Sequence, residues 1–107
     1  MITIKRGDTF AFYANITDDL GQPLITNVAN LKSQIRDRNY VLVETLTIAT
    51  TEIEGQYLFT APNTDDWLVI GYDSRDLIMD IEINIEGVIT SSETIGIRVT
   101  KDVTVDE

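Results

Sequence analysis

The chain contains neither cysteine nor histidine. Without cysteine there is no disulfide and no thiolate metal site. One signature of small secreted domains is therefore missing, and the redox compartment stays open. Without histidine, Ser-His-Asp and Cys-His nucleophilic systems, imidazole proton shuttles and the usual zinc sites all drop out. Basic residues are scarce, with 8 Lys and Arg against 18 Asp and Glu and a formal net charge of −10. Such a chain repels a phosphate backbone, and no basic stripe with interleaved aromatics is present, so nucleic-acid binding is not expected. No apolar run approaches the roughly 18 residues a membrane helix needs, and no membrane contact is expected. The opening Met-Ile-Thr-Ile-Lys alternates at once and lacks the apolar stretch of a signal peptide. The expectation is a protein made in the cytoplasm that folds from its first residues. A glycine-rich phosphate loop is also missing, because Gly7, Gly21, Gly55, Gly71, Gly87 and Gly96 are scattered along the chain.

What the 107 residues do hold is enough for one domain, and a hydrophobic fraction of 43% is ordinary for a core without cross-links. The dominant period is two, which is the period of strands. Ile2 and Ile4 alternate with Thr3 and Lys5. Phe10, Phe12, Ala14 and Ile16 share one side of a strand from Thr9 to Thr17. A dense turn cluster follows at Asp18-Asp19-Leu20-Gly21-Gln22-Pro23. Leu24 to Ala29 reads as irregular or a short strand.

Leu31, Ser33 and Ile35 then face one way, and Lys32, Gln34 and Arg36 the other. After Arg38-Asn39 the core face is ambiguous. Val41, Val43 and Thr45 have one parity; Leu42, Leu46 and Ile48 have the other. Gly55 opens a strand through Thr60, and Pro62 stops it. Thr64-Asp65-Asp66-Trp67 fits one helical turn near 64–68, with Asn63 or Thr64 as its cap and acids near its N-terminus. The longest strand is Arg75 to Glu86, with Leu77, Met79, Ile81, Ile83 and Ile85 on one face. Glu86-Gly87 turns the chain. A last strand from Val88 to about Val103 buries Ile95, Ile97 and Val99. Residues 1–103 are expected to form a single domain, and 104–107 an acidic C-terminal tail.

About seven short strands separated by turns predict an all-β fold, an immunoglobulin-like antiparallel sandwich without the inter-sheet disulfide. In that architecture the third and sixth strands are neighbours. The outward face of the Leu31 strand is basic (Lys32, Arg36), and that of the Arg75 strand is acidic (Asp80, Glu82, Glu86). Opposite charges across neighbouring strands contribute roughly 0.2–1 kcal/mol per pair. If the two strands lie in different sheets, the pattern is coincidence.

Candidates for chemistry are few. Asp65-Asp66, or Asp73 with Asp76 and Asp80, could hold a hard cation, but adjacent acids in turns read more simply as solvated caps. No metal and no cofactor is expected, and no catalytic residue stands out. Trp67, the one tryptophan, reads as a plug at the end of the sandwich core; the alternative is a host-surface carbohydrate-binding module that uses Trp67 or Tyr72 in a loop. Asn15-Ile16-Thr17 is a glycosylation triplet that matters only in a secreted eukaryotic protein. Arg6-Gly7-Asp8 is a known adhesion tripeptide. It reads here as a turn, since glycine permits a positive φ and aspartate closes turns with its own side chain.

Taken in order, a set of segments resembles a family. They are Lys5-Arg6-Gly7-Asp8-Thr9, Asp18-Asp19-Leu20-Gly21-Gln22-Pro23, Leu31-Lys32-Ser33-Gln34-Ile35-Arg36, Gly55-Gln56-Tyr57, Trp67 followed by Gly71, Asp80-Ile81, and Val99-Thr100-Lys101-Asp102-Val103-Thr104. The chain resembles small tailed-bacteriophage and prophage virion proteins with an immunoglobulin-like domain. Its opening is similar to the N-terminal domain of upper baseplate proteins, which attach receptor-binding proteins to a phage tail. The resemblance implies a virion structural role, other virion proteins as partners, several copies per particle, and no catalytic residue. Two departures stand out. The family's Trp-Pro-x-Gly is here Trp67-Leu68-Val69-Ile70-Gly71. The helical or fibre-forming continuation usual in baseplate proteins is also missing, so a free-standing decoration, adaptor or connector is expected.

Overall fold

A computed structural model describes residues 2–68, 71–92 and 94–101. The 104–107 tail, Val103 and the Val69-Ile70 part of the departing loop lie outside these residues. Nine strands are present among the described residues: β1 (Ile2–Lys5), β2 (Phe10–Asn15), β3 (Leu31–Asp37), β4 (Leu42–Thr45), β5 (Thr47–Thr50), β6 (Gln56–Ala61), β7 (Ser74–Ile85), β8 (Val88–Ser91) and β9 (Ile95–Thr100). They form two sheets, one in the order β1-β9-β7-β3-β4 with β8 also on β7, the other β2-β6-β5. The fold is an all-β sandwich.

The alternating segments bury the faces their periodicity predicts. Leu31 and Ile35 from β3, Leu77, Met79 and Ile81 from β7, and Ile97 and Val99 from β9 meet Phe10, Tyr57, Phe59 and Ala61 from the other sheet in one cluster. Full burial of such a side chain stabilises by roughly 1.5–3 kcal/mol. Among the described residues no buried side-chain polar atom lacks a hydrogen-bond partner. The Ser33 hydroxyl donates to the Asp80 carbonyl at 2.7 Å. The Tyr57 hydroxyl donates to the Leu24 carbonyl at 2.7 Å and accepts from the Thr26 N–H at 3.0 Å, which ties the irregular 24–26 segment to the core.

Four features depart from the sequence reading, each for a physical reason. The ambiguous 41–48 stretch is two strands in different sheets, because the chain crosses the sandwich at the buried Leu46. A residue's inward parity changes at such a crossing, so Val43 and Ile48 both pack on the core. The last strand is also two. β8 and β9 both pair with β7, but Glu82 opposes Ser91 whereas Met79 opposes Ile95, so the register slips by a residue between them. Ser92 holds this bulge in place, since its N–H donates to the Ile81 carbonyl and its hydroxyl accepts from the Ile81 N–H, both at 2.8 Å.

The pairing is not antiparallel throughout either, for β1 runs parallel to β9. Finally, a second 3-10 turn lies at Val28–Asn30, where the Asn27 side chain caps the Ala29 N–H at 2.9 Å. The expected turn is Asp65–Trp67.

Candidate interaction surfaces

The Arg6-Gly7-Asp8 corner joins β1 to β2 and carries the chain from one sheet to the other. The Asp8 N–H donates to the Lys5 carbonyl at 3.1 Å to close it. Gly7 has φ 92°, a conformation that side chains with a Cβ resist. The corner is held from a distance. Thr64, fully buried, accepts from the Gly7 N–H at 2.9 Å and donates to the Asp8 carbonyl at 2.6 Å. Thr64 is therefore not the side-chain cap of its own 3-10 turn. Asn63 takes that role, accepting from the Asp65 N–H at 2.9 Å. Behind the clamp Trp67 is 1% exposed, with its ring centroid 5.4 Å from that of Phe10. It belongs to the buried core cluster and its ring is not exposed to a ligand.

Lys32, Arg36, Asp80 and Glu82 do share one outer face, because β3 and β7 are adjacent antiparallel strands. Lys32 stands opposite Glu82. Gln34, rather than Arg36, stands opposite Asp80, and Arg36 opposes Ile78. The Arg36 guanidinium donates instead to the Tyr40 carbonyl at 2.9 Å and the Gln34 side chain at 2.8 Å. Among the described residues no ion pair within 4.0 Å joins those four side chains; the ion pairs are Arg98–Asp76, Arg75–Asp37 and Arg38–Asp76. Glu86 is off this face, since it sits in the β7–β8 turn with φ 52°.

The ion pairs shape local electrostatics. Asp37 is held below the usual carboxylate range, first by the Val41 N–H it accepts, against some burial, then by the Asn39 N–H and Arg75. Asp76 is likewise lowered, chiefly by the hydrogen bond from Arg98 at 2.9 Å. That bond also engages one of the acids considered for a cation. Among the described residues no cluster of three acids is close enough to hold a metal ion.

The second sheet presents a surface that sequence reasoning missed. Its outward residues fall in rows across the strands: Ala11, Thr60 and Thr47; Tyr13, Leu58 and Ala49; Asn15 and Gln56. None carries a charge. The outer face of the other sheet carries Lys5, Lys32, Arg36, Asp76, Asp80, Glu82 and Arg98. The acids Asp18, Asp19, Glu52 and Glu54 are kept to the loops between strands at one end of the uncharged sheet. Tyr13, 58% exposed, lines a depression of about 500 Å³ there with Thr50, Thr51, Glu52, Ile53, Gln56 and Leu58. The signal was present in the strand parity, because the residues alternating with Phe10, Phe12 and Ala14 are uncharged as well. No model of a known family matches the chain, and no curated protein matches it.

Proposed function

We propose that the chain is a non-enzymatic structural protein of a tailed-phage virion, an immunoglobulin-like adaptor or connector that docks in the tail and baseplate or head–tail region. The observation that carries this reading is the division of the sandwich into one charged and one uncharged outer face. In a chain of net charge −10, an uncharged sheet face bordered by an exposed tyrosine is suited to a protein contact. The order of segments from Lys5-Arg6-Gly7-Asp8-Thr9 onward, similar to small virion proteins, supplies the setting. Its partners are other virion proteins, and it is present in several copies. Mass spectrometry of purified virions, with copy number per particle, tests this. A number near six or twelve supports the neck or baseplate. A number in the hundreds replaces that placement with capsid decoration, and absence from virions overturns the virion role.

A second reading is a carbohydrate-binding module for a host surface. It rests on Tyr13 above the depression it shares with Gln56 and Glu52, since an aromatic ring beside amide and carboxylate groups suits a sugar. Binding of host glycans that is lost in Tyr13→Ala supports it, and no binding to the intact protein removes it.

A further inference from the structure

Strand β2 is an edge, pairing with β6 on one side and with no strand on the other among the described residues. It is longer than the other edge strands β1, β4, β5 and β8. Its free side can be assigned. The Ile16 N–H donates to the Gly55 carbonyl at 2.8 Å in continuation of the β2–β6 register, so even-numbered residues are the hydrogen-bonded partners of β6. The backbone N–H and C=O groups of Ala11, Tyr13 and Asn15 therefore aim along the sheet, away from β6. Edge strands of this kind are usually blunted by charge, proline or a bulge. Thr9 to Thr17 holds no charged residue and no proline. The core is also incompletely covered here: Phe12 and Ala14 point inward and are only partly buried, as are Ile2 and Ile4 on the facing edge strand β1.

We infer that β2 is the contact through which two copies of this chain pair, antiparallel about a two-fold axis, to merge two three-stranded sheets into one of six. This rests on the reading of the chain as a protein-contact module and names a partner for it. The charge distribution permits a second copy, and the strand's own sequence favours one. A two-fold contact sets a patch against itself, so any charged patch repels its own image. β2 can meet its own image without apposing acids, although each molecule carries −10. The strand is also complementary to itself. With Tyr13 on the axis, Phe12 faces Ala14 of the second copy, large against small, and Phe10 faces Ile16 of the second copy. On the outer face the two Tyr13 rings are cross-strand neighbours, and Ala11 meets Asn15 of the second copy. A six-residue edge is about 20 Å long, and the contact is smaller than the roughly 800 Å² per partner of a tight complex. The dimer is accordingly concentration-dependent.

The test uses the purified full chain. Sedimentation equilibrium should show a monomer–dimer equilibrium that tightens as salt rises from about 0.05 to 0.5 M, because salt screens the repulsion between two acidic molecules. Ala11→Lys, at an exposed position, should weaken the dimer about tenfold or more, as edge lysines do. The chain has no cysteine, so Tyr13→Cys should oxidise to a linked dimer while Ala49→Cys, exposed on β5, should not. Hydrogen-bonded cross-strand pairs lie about 5.5 Å apart at Cα, within disulfide reach. A protein that stays monomeric at all concentrations overturns the inference. So does a dimer that Ala11→Lys leaves intact. Slow hydrogen exchange at the Ala11, Tyr13 and Asn15 amides in the monomer also overturns it, since another part of the chain would then cover the edge. These results are independent of virion composition: a monomer found in virions sinks the dimer alone, and a dimer absent from virions sinks the virion role alone.

Discussion

The hydroxyl of Thr64 is the single group most open to a clean test of how the fold is held. It accepts from the Gly7 N–H and donates to the Asp8 carbonyl, and it spans 57 residues of sequence to do so. Thr64→Val keeps the shape and removes both bonds. A net loss of about 0.5–1.5 kcal/mol per hydrogen bond gives about 1–3 kcal/mol in total. Gly7 and Asp8 are themselves exposed, so water can reach part of what the hydroxyl leaves, and the middle of that range, about 2 kcal/mol, is expected. For a chain of this size that is a fall in Tm of roughly 8–16 °C. Thr64→Ser keeps the hydroxyl and loses a buried methyl, at a cost of about 1 kcal/mol. The assay is urea and thermal unfolding of the three proteins, followed by circular dichroism with the m-value checked for constancy. The reasoning is refuted if Thr64→Val unfolds within about 0.5 kcal/mol of the parent, or if Thr64→Ser is as damaging as Thr64→Val.

Three further outcomes follow from the same structure. Gly55 has φ 77°, and a Cβ there would lie 2.7 Å from the Pro23 Cβ, so Gly55→Ala should cost more than the roughly 1–2 kcal/mol of left-handed backbone alone, read by urea unfolding. Trp67→Ala should cost about 3–5 kcal/mol by the same measurement, and the native tryptophan should show blue-shifted emission and weak acrylamide quenching. Asp37 has a lowered pKa in the folded state. Its contribution is therefore present above the unfolded value near 4 and is lost as pH falls through the folded one. Asp37→Asn should lower stability at pH 7 and make the acid limb of the stability–pH curve shallower; an unchanged limb would deny Asp37 that role.

What the sequence made legible is what repeats locally. In β3 and β7 the apolar residues recur every second position over a whole strand, so both core faces were readable from Leu31 to Ile35 and from Leu77 to Ile85. Where the chain changes sheet at Leu46, the period breaks without a turn residue to mark it, and the parity of Leu42 to Ile48 could not be resolved. The split between β8 and β9 is a one-residue slip that Ser92 stabilises by pairing with Ile81, a contact with no local signature. Likewise, nothing near Gly7 announces Thr64. That the basic face of β3 and the acidic face of β7 lie side by side could be read from strand parity, but the register, which sets Lys32 opposite Glu82 and Arg36 opposite Ile78, could not. The uncharged face was visible residue by residue in Ala11, Tyr13 and Asn15. It becomes a surface only when β5 and β6 pair beside β2, and that pairing is set by long-range contacts.

The central claim is that this chain works by protein contact through the uncharged β2-β6-β5 face. Hydroxyl-radical footprinting, comparing dilute monomeric protein with intact virions, measures it most directly. The account predicts strong protection of Tyr13 and Leu58 in virions, with Tyr72, 64% exposed and outside that sheet, modified to a similar extent in both states. Equal modification of Tyr13 and Leu58 in the two states would contradict it.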